Sequence, residues 1–377
     1  MQHNQSYQVA IVGGGLAGLC MAIQCATQGY TTIVFEKEQY PFHKVCGEYI
    51  SMESHAFLQR LGFNPAAFGV PYINQLYVSD VAGKGYNFRL PLGGFGISRY
   101  SLDYALYQIA VHKGVAFVHE KVNDVRLEGE QFVIESQLHP CTAAVVVGSF
   151  GKRSNLDVKW KRSFTEKKTS GENYIGVKYH VRYPQQANQI ALHNFKNGYC
   201  GISKIEDEKC CLCYLTTAKE LKAAGGSIDK MEQTLLAKNP QLKRIFSTAE
   251  FLYDEPLAIS QISFQPKVNV QNHVLLVGDA AGLITPLCGN GMSMAIHGSK
   301  ICFQVVNDFM QKRIGRKEME REYSRLWKQQ FASRLYWGRL VQRFFGDPAT
   351  TGIFLRMMNM LPPLSRQLIR STHGKPF

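Results

Sequence analysis

The sequence contains no long apolar run. A helix that crosses a bilayer needs about 20 consecutive apolar residues, and no segment of this 377-residue chain approaches that length. The first apolar segment, Val9–Val12, is the size of a strand, and no secretory signal is recognisable before it. We therefore expect a cytoplasmic protein, with peripheral contact at the inner face of the membrane left open.

Paired cysteine motifs are also lacking. The chain has ten cysteines, and the densest cluster is Cys210, Cys211 and Cys213. No second CxxC is present to complete a zinc site, and in a strand residues three apart point to opposite faces. We expect buried free thiols in a reducing compartment and no metal.

Acidic residues are scarce in the last part of the chain. Between Gln311 and Phe377 there are 14 Lys and Arg but only 4 Asp and Glu, so most of the net charge of +14 lies there. Apolar residues at helical spacing predict a long helix from 318 to 345 and a second from 351 to 360. Two interpretations stay open: the apolar face of the long helix packs on the rest of the fold, or its basic face contacts anionic lipid or an acidic carrier protein. No nucleic-acid-binding module is recognisable.

The strongest motif lies near the N-terminus. Three glycines, in the order Gly13-x-Gly15-x-x-Gly18, separate the apolar strand Val9–Val12 from a helical segment. Such glycines permit a tight turn, the approach of a pyrophosphate to the backbone, and close packing of the helix on the strand. Glu36 follows the next apolar strand, where a carboxylate can accept hydrogen bonds from a ribose. These features predict a dinucleotide-binding unit.

A second strand of this kind occurs far along the chain. The apolar segment Val274–Val277 ends in Gly278-Asp279 and precedes a predicted helix, Gly291–Met310. Between the two motifs, residues 173–217 alternate between apolar and polar, which is typical of an antiparallel sheet with one buried face. We predict an α/β fold in which a Rossmann-like domain is interrupted by an antiparallel sheet domain.

The combination of GGGLAG with Glu36, Arg99-x-x-x-Asp103 and GDAAGLITPLCGNGM resembles the FAD-dependent superfamily of para-hydroxybenzoate hydroxylase, flavin-dependent halogenases and geranylgeranyl reductases. The resemblance implies a discontinuous FAD-binding domain formed by residues 1–70, 97–160 and 266–310. A substrate-binding sheet domain would comprise 71–96 and 161–265, and a basic helical region would comprise 311–377.

The resemblance also implies which residues hold the cofactor. The glycines of the first motif would bind the FAD pyrophosphate, Glu36 the adenosine ribose, and Asp279 the ribityl chain or pyrophosphate. Backbone N–H groups at the start of the Gly291 helix would stabilise negative charge on the reduced ring. The predicted set is Gly13, Gly15, Leu16, Ala17, Gly18, Glu36, Lys37, Arg99, Gly278, Asp279, Pro286, Gly289, Asn290, Gly291 and Met292.

Two residues in the loop after the second strand are predicted to act in catalysis. The segment VCGE, residues 45–48, is similar to the Cys-Gly segment of geranylgeranyl reductases. This similarity would place Cys46 beside the flavin or the substrate, with Glu48 close by. The alternative is that Cys46 only packs the loop.

The sequence departs from several members of the superfamily. Phe150-Gly151 stands where hydroxylases have Asp-Gly, the Trp-x-Trp motif of the halogenases is missing, and there is no second GxGxxG for NAD(P)H, the candidate reductant. We therefore predict an FAD-dependent oxidoreductase that reduces or dehydrogenates C–C bonds of an apolar, isoprenoid-, acyl- or polyketide-like substrate by hydride transfer. The alternatives are an FAD-dependent monooxygenase of an aromatic or polyketide product, and a non-catalytic flavin-binding electron-transfer protein.

Overall fold

A computed structural model describes residues 5–165 and 173–377. Residues 1–4 and 166–172, which belong to the predicted first and second domains, lie outside the described residues. The strands are β1 (Gln5–Val12), β2 (Thr32–Phe35), β3 (Tyr49–Ser51), β4 (Tyr72–Ser79), β5 (Gly85–Gly96), β6 (Ala116–Val118), β7 (Asp124–Glu128), β8 (Gln131–Glu135), β9 (Cys141–Gly148), β10 (Tyr174–Arg182), β11 (Gln189–Phe195), β12 (Gly198–Lys204), β13 (Cys210–Thr217), β14 (Glu250–Phe251), β15 (Leu257–Ile262), β16 (Val270–Gln271) and β17 (Val274–Leu276).

The helices are α1 (Leu16–Thr27), α2 (His55–Arg60), α3 (Arg99–His112), α4 (Asn155–Lys159), α5 (Ala218–Ala223), α6 (Ile228–Thr234), α7 (Pro240–Thr248), α8 (Gly291–Met310), α9 (Arg316–Gln342), α10 (Pro348–Met360) and α11 (Pro362–Thr372). Short 3₁₀ turns join several of these elements.

A mostly parallel sheet carries the glycine motif. Its strand order is β16-β17-β9-β1-β2-β6, and the strands from β17 to β6 run parallel. β1 and β9 are apolar and buried at their carboxyl ends, as a strand with helices on both faces requires. Helices α1 and α8 pack together on this sheet. The predicted Rossmann-like architecture is confirmed.

One local prediction was wrong. From the sequence alone, the alternating segments 116–126 and 131–137 predict one hairpin. Instead, the short strand β6 pairs in parallel with β2, and only β7 pairs with β8 as a hairpin. Residues 116–118 are Ala-Phe-Val, a short apolar run that suits either partner, so periodicity alone could not select the parallel one.

The second sheet is largely antiparallel. Its order is β14-β10-β13-β12-β11-β4-β5-β3, and β15 pairs with the same edge of β10 as β14 does. One face packs against α6 and α7 through an apolar cluster that includes Val177 and Leu212. The other face, which carries Gly176, Leu192 and Leu215, looks toward the parallel sheet.

The C-terminal region forms three helices, one more than predicted. The apolar face of α9, from Met319 to Leu335, is buried in the core of the nucleotide-binding domain, so the packing interpretation is confirmed for this helix. The helix that the sequence did not predict, α11, begins at Pro362, a position in the first turn where proline is favoured. Among the described residues, no helix is both long and apolar enough to cross a membrane.

Candidate active site

A large cavity lies between the two sheets. Its volume is about 1120 Å³. On one side it is lined by the carboxyl ends of the parallel strands, at Gly13, Glu36 and Gly278, and on the other by the second sheet, at Leu192 and Gly201. In open α/β sheets, ligands bind at this end of the strands. The cavity therefore connects the nucleotide motif with the second sheet.

Each glycine of the first motif occupies its position for a different steric reason. Gly13 has a φ of +106°, and a Cβ there would lie 2.5 Å from the carbonyl oxygen of Ser149. A Cβ on Gly18 would lie 2.1 Å from the carbonyl oxygen of Gly13, so α1 can pack on β1 only with glycine at this position. Gly15 is different, because a Cβ there would meet no backbone, only the Lys44 ammonium at 3.5 Å and the Arg99 guanidinium at 3.8 Å. The space above Gly15 thus opens toward two cations at the N-terminus of α1.

These two cations are held by one carboxylate. Arg99 donates two hydrogen bonds to Asp103, at 2.7 and 2.6 Å, and the Lys44 ammonium lies 3.4 Å from the same carboxylate. Burial lowers the pKa of Lys44, and Asp103 opposes this shift. One carboxylate shared by two cations leaves net positive charge beside Gly15, which suits a pyrophosphate.

Glu36 lies at the end of β2 and faces the cavity. Its carboxylate accepts hydrogen bonds from the backbone N–H groups of Gly14 at 3.0 Å and Glu38 at 3.2 Å. Each carboxylate oxygen has two acceptor sites, so the bound N–H groups leave capacity for ribose hydroxyls. This position is the one that the sequence predicted.

A second group of charges surrounds Asp279. Burial raises the pKa of the Asp279 carboxyl, and Lys267, Arg99 and Lys152 oppose that shift. Lys267 donates to the backbone carbonyls of Lys152 at 2.7 Å and Asp279 at 2.9 Å. The ammonium of Lys152 is buried and has no hydrogen-bond partner among the described residues, and burial lowers the pKa of Lys152 to about 8. A buried ammonium without a partner at the cavity edge fits an anionic ligand.

The loop before α8 supplies the remaining predicted residues. Pro286, Gly289, Gly291 and Met292 line the cavity where the N-terminus of α8 points. Gly289 has a φ of +64°, and a Cβ there would lie 3.1 Å from the Tyr49 ring. The start of this 20-residue helix offers unpaired N–H groups and a partial positive charge.

Two predicted cofactor residues do not line the cavity. Gly18 lies beneath it, where its role is packing. The buried Asn290 donates its side-chain amide to the carbonyl of Thr372 at the end of α11, and so ties the cofactor loop to the C-terminal region. The other predicted cofactor residues all lie at the cavity wall.

The observed arrangement fits FAD. An open glycine at a helix N-terminus, an acidic residue at the end of β2 and an unpaired buried ammonium occupy the parts of the cavity that a dinucleotide would need. When bound, FAD supplies the two-electron redox chemistry, and the protein supplies binding, orientation and electrostatics.

Glu48, one of the two predicted catalytic residues, is the centre of a buried ionic network. One carboxylate oxygen accepts from the ammonium of Lys178 at 2.5 Å and from the backbone N–H of Arg99 at 2.8 Å. The other lies 2.6 Å from Nε2 of His180. Burial alone would raise the pKa of Glu48, but Lys178 and His180 lower it well below its usual range. Glu48 is therefore an anion at neutral pH and holds no proton to donate.

The network continues from His180 toward the edge of the cavity. Nδ1 of His180 lies 2.6 Å from the hydroxyl of Tyr253, and that hydroxyl lies 3.1 Å from Nδ1 of His43. One assignment of protons satisfies all the contacts: His43 donates to Tyr253, Tyr253 donates to His180, and His180 donates to Glu48. Burial, together with Lys178, lowers the pKa of His43 to about 4, so a neutral His43 is consistent with this direction.

Cys46, the other predicted catalytic residue, lines the cavity. Its carbonyl accepts a hydrogen bond from the thiol of Cys211 at 3.2 Å, and its own sulfur lies 3.5 Å from the backbone N–H of Glu48. Burial raises the pKa of the Cys46 thiol. The thiol is thus protonated at neutral pH, and a role as a thiolate nucleophile is disfavoured.

Sequence reasoning did not identify Lys152, Lys178, His180 or Tyr253. A signal was present for two of them, because Lys178 and His180 lie two and four residues after Gly176 in a strand that otherwise reads as buried. In a strand this spacing places all three on one face. The partner of that face could not be found from the sequence, since the contact joins Glu48 to a strand 130 residues away.

The cysteine cluster carries no sign of a metal site. Cys211 and Cys213 lie on the cavity side of β13 and Cys210 is buried. In residues 5–165 and 173–377, no group of three or more His, Cys, Asp or Glu is placed to hold a metal ion.

Comparison with known proteins gives four findings. A family model described as an FAD binding domain matches residues 8–44. A brominase of 1H-pyrrole-2-carbonyl-peptidyl-carrier protein from Pseudoalteromonas luteoviolacea is 24% identical over 313 residues, which are 78% of this chain and 76% of that protein. The solved structure of the flavin-dependent brominase Bmp2 aligns with a TM-score of 0.80 and 20% identity, covering 98% of this chain and 93% of that one.

A geranylgeranyl bacteriochlorophyll reductase-like protein from Thermoplasma acidophilum aligns with a TM-score of 0.73 and 17% identity, covering 98% of this chain and 92% of that one. Halogenases and a reductase-like protein thus share one fold with this chain. The chain has the fold of the para-hydroxybenzoate hydroxylase-like superfamily, and it is an FAD-dependent oxidoreductase.

Proposed function

We propose that this enzyme reduces or dehydrogenates a C–C bond in an apolar small molecule bound between the cofactor site and the second sheet. The observation that carries the proposal is the composition of the cavity wall on the substrate side. The lining residues from the second sheet are Gly176, Ile190, Leu192, Tyr199, Gly201, Ser203, Cys213, Tyr214, Leu215, Leu257, Ala258, Ile259 and Ile262, and none of them is charged. Such a wall favours an isoprenoid, acyl or polyketide-like ligand.

Strand register explains why the wall is open as well as apolar. Gly201 of β12 lies between Leu192 of β11 and Cys213 of β13 in one cross-strand row. Gly176 of β10 lies beside Leu215 in the next row. Small residues in the middle of each row leave space, and the larger apolar side chains around them give that space a hydrophobic surface.

Buried charge next to this wall is neutralised within the protein. Lys178 has no exposed surface, and both its hydrogen bonds go to the loop 43–48, to the carbonyl of Lys44 at 3.2 Å and to Glu48. Glu48 in turn pairs with His180. We propose that Glu48 is a positioning residue, which fixes the loop so that Cys46 faces the cavity.

We further propose Cys46 as the residue that exchanges a proton with the substrate carbon. A protonated thiol at the junction of the cofactor and substrate regions can donate a proton when a double bond is reduced, and can receive it in the reverse direction. The matched variants Cys46→Ser and Cys46→Ala should both keep bound FAD and lose about 10²–10⁴-fold in turnover. Unchanged turnover in Cys46→Ala would mean that Cys46 only packs the loop.

The substrate class can be tested through the cofactor spectrum. Apolar ligands that enter the cavity should perturb the visible absorbance of bound FAD. Leu192→Trp and Ile259→Trp would fill the substrate region and should abolish the perturbation without loss of FAD. Leu138→Trp, at a side chain that is 70% exposed and does not line the cavity, is the control and should respond like the wild type. An equal response in all four proteins would contradict the proposed location of the substrate.

A second candidate is an FAD-dependent monooxygenase or halogenating enzyme acting on an aromatic group held by an acidic carrier protein. The observation that favours it is the similarity to the brominase of a carrier-bound pyrrole along 78% of this chain. The two candidates differ in their need for oxygen. Anaerobic turnover would favour C–C reduction, and a strict oxygen requirement would favour the second candidate. In both cases NAD(P)H is the proposed external reductant.

A further inference from the structure

Helix α10 is apolar on two opposite faces. Phe354, Leu355 and Met358 are buried, at the spacing of one helical face. Ile353, Met357 and Met360 are exposed and lie on the other side of the same helix. A surface helix of a globular protein normally has a polar outer face. The outer face of α10 therefore has the composition of a buried surface but no partner within the described chain.

The exposed stripe continues into the next helix. Ile353 is 72% exposed and Met360 is 71% exposed, which is unusually high for large apolar side chains. Leu361 and Leu364 extend the stripe across the junction between α10 and α11 and are also exposed. We call the surface formed by Ile353, Met357, Met360, Leu361 and Leu364 the apolar stripe.

The surroundings of the apolar stripe are basic. Residues 336–377 contain six Lys and Arg, namely Arg339, Arg343, Arg356, Arg366, Arg370 and Lys375, and a single acidic residue, Asp347. The Asp347 carboxylate is occupied as the N-cap of α10, where it accepts from the N–H groups of Ala349 and Thr350. All the basic residues except Arg339 are exposed, and Arg339 is partly exposed. The aromatic side chains of Tyr336 and Trp337 are exposed in the same region.

The inner face of α10 lies against the substrate end of the cavity. Phe354, Leu355 and Met358 share one apolar cluster with Leu192, Tyr199 and Leu215, which line the cavity. One helix thus separates the cavity from the apolar stripe.

We propose that the apolar stripe binds the enzyme to the interface of an anionic phospholipid bilayer, with α10 between the lipid and the cavity. Exposed apolar side chains in a basic stretch of chain that also exposes Trp and Tyr are suited to binding in the plane of an anionic membrane. A second copy of this chain is a poorer occupant, because two surfaces of the same positive charge would face each other. An acidic carrier protein would match the charge, but it does not require five large exposed aliphatic side chains in a row.

The inference rests on the proposed function for its biological purpose, because membrane binding beside the cavity would give an apolar substrate a route from the lipid to the cavity. It does not rest on that function for its test. Purified full-length protein is mixed with vesicles of phosphatidylcholine containing phosphatidylglycerol, and with vesicles of phosphatidylcholine alone. Sedimentation gives the bound fraction, and flavin absorbance of the same samples gives the FAD content.

The test variant is Ile353→Glu with Met360→Glu, and the control is Leu138→Glu with Val111→Glu, which adds the same two charges at exposed apolar side chains outside the apolar stripe. We expect the wild type and the control to bind the anionic vesicles, and the Ile353→Glu, Met360→Glu double variant to bind at least about tenfold more weakly. Binding should also weaken at high salt and on uncharged vesicles. Because the changed side chains are exposed, the double variant should keep its FAD.

Three results would overturn the proposal. The wild type could fail to bind anionic vesicles while holding FAD, which would leave the proposed function standing. The double variant could bind vesicles as well as the wild type. In the third case, the double variant would bind vesicles as the wild type does but would lose a concentration-dependent dimer or binding to an acidic acyl carrier protein. That result would assign the apolar stripe to the other occupant. Vesicle binding without any FAD would instead count against the proposed function.

Discussion

Replacing Glu48 by glutamine should destabilise the protein strongly, because it would leave a buried cation without its counter-ion. Lys178 has no exposed surface, and the carboxylate of Glu48 is its only ionic partner in the described chain. Removing one member of a buried ion pair typically costs about 3–5 kcal/mol. Glutamine keeps the size of the side chain, so the cost would come from the charge rather than from a cavity.

The expected loss can be converted into a melting temperature. With an unfolding entropy of about 2 cal/mol/K per residue for this chain length, 3–5 kcal/mol corresponds to a decrease of roughly 4–7 °C. The double variant Glu48→Gln, Lys178→Met should recover most of this loss, because an apolar side chain in place of the ammonium removes the unpaired charge. Glu128→Gln is the surface control: Glu128 is exposed and lies 3.6 Å from Arg126, so this change should cost less than about 1 kcal/mol.

The pH dependence gives an independent check. Because the network holds the pKa of Glu48 below its usual 4.5, its stabilisation is complete above that pH and is lost in acid as the carboxylate is protonated. The difference in free energy of unfolding between wild type and Glu48→Gln should therefore shrink as the pH falls below about 4. A melting temperature for Glu48→Gln equal to the wild type, or a double variant less stable than the single one, would refute the ionic role of Glu48.

Two further predictions concern other parts of the fold. Gly15→Ala should weaken FAD binding by at least about 100-fold in equilibrium dialysis, because a Cβ at this position occupies the approach between Lys44 and Arg99. The control Gly315→Ala, at the N-cap of α9 with open space around it, should leave FAD binding unchanged. Equal affinity in both variants would contradict the cofactor position. Burial raises the pKa of Glu232 to about 7, although Tyr214 and Tyr179 oppose the shift, so the folded protein keeps a proton that the unfolded chain has already lost. Relative to Glu232→Gln, the wild type should therefore lose up to about 3 kcal/mol of unfolding free energy in chemical denaturation as the pH rises from 4.5 to 7. Parallel pH curves for the two proteins would show that Glu232 is already ionised in the fold.

The sequence was sufficient to place most of the predicted cofactor residues at the cavity wall, because their positions depend on local chain geometry. The turn at Gly13, the open position at Gly15 and the acidic end of β2 are all set by residues close together in the chain. The same holds for Gly278-Asp279 and the start of α8. A motif of this kind carries its own structural context, so it predicts both fold and ligand.

The substrate half could not be predicted in the same way, because its contacts depend on the register of distant strands. Cys46 and Glu48 were correctly placed in one loop, but the partners of that loop, Lys178 and Cys211, come from β10 and β13. A shift of β10 by one residue would turn Lys178 and His180 toward α6 and α7. The hydrogen bond from Asn290, a predicted cofactor residue, to Thr372 likewise joins distant parts of the chain and could not be found from the motif.

Reoxidation of the reduced enzyme in the absence of oxygen would test the proposed reaction most directly. The FAD-loaded protein is bleached anaerobically with dithionite or NADPH, and unsaturated isoprenoid, acyl and polyketide-like compounds are added one at a time. The proposal predicts that at least one of them restores the flavin absorbance without oxygen and is recovered as the saturated product, and that Cys46→Ala slows this step. Restoration of the absorbance only after air is admitted, together with an oxygenated or halogenated product, would contradict C–C reduction and assign the enzyme to the second candidate.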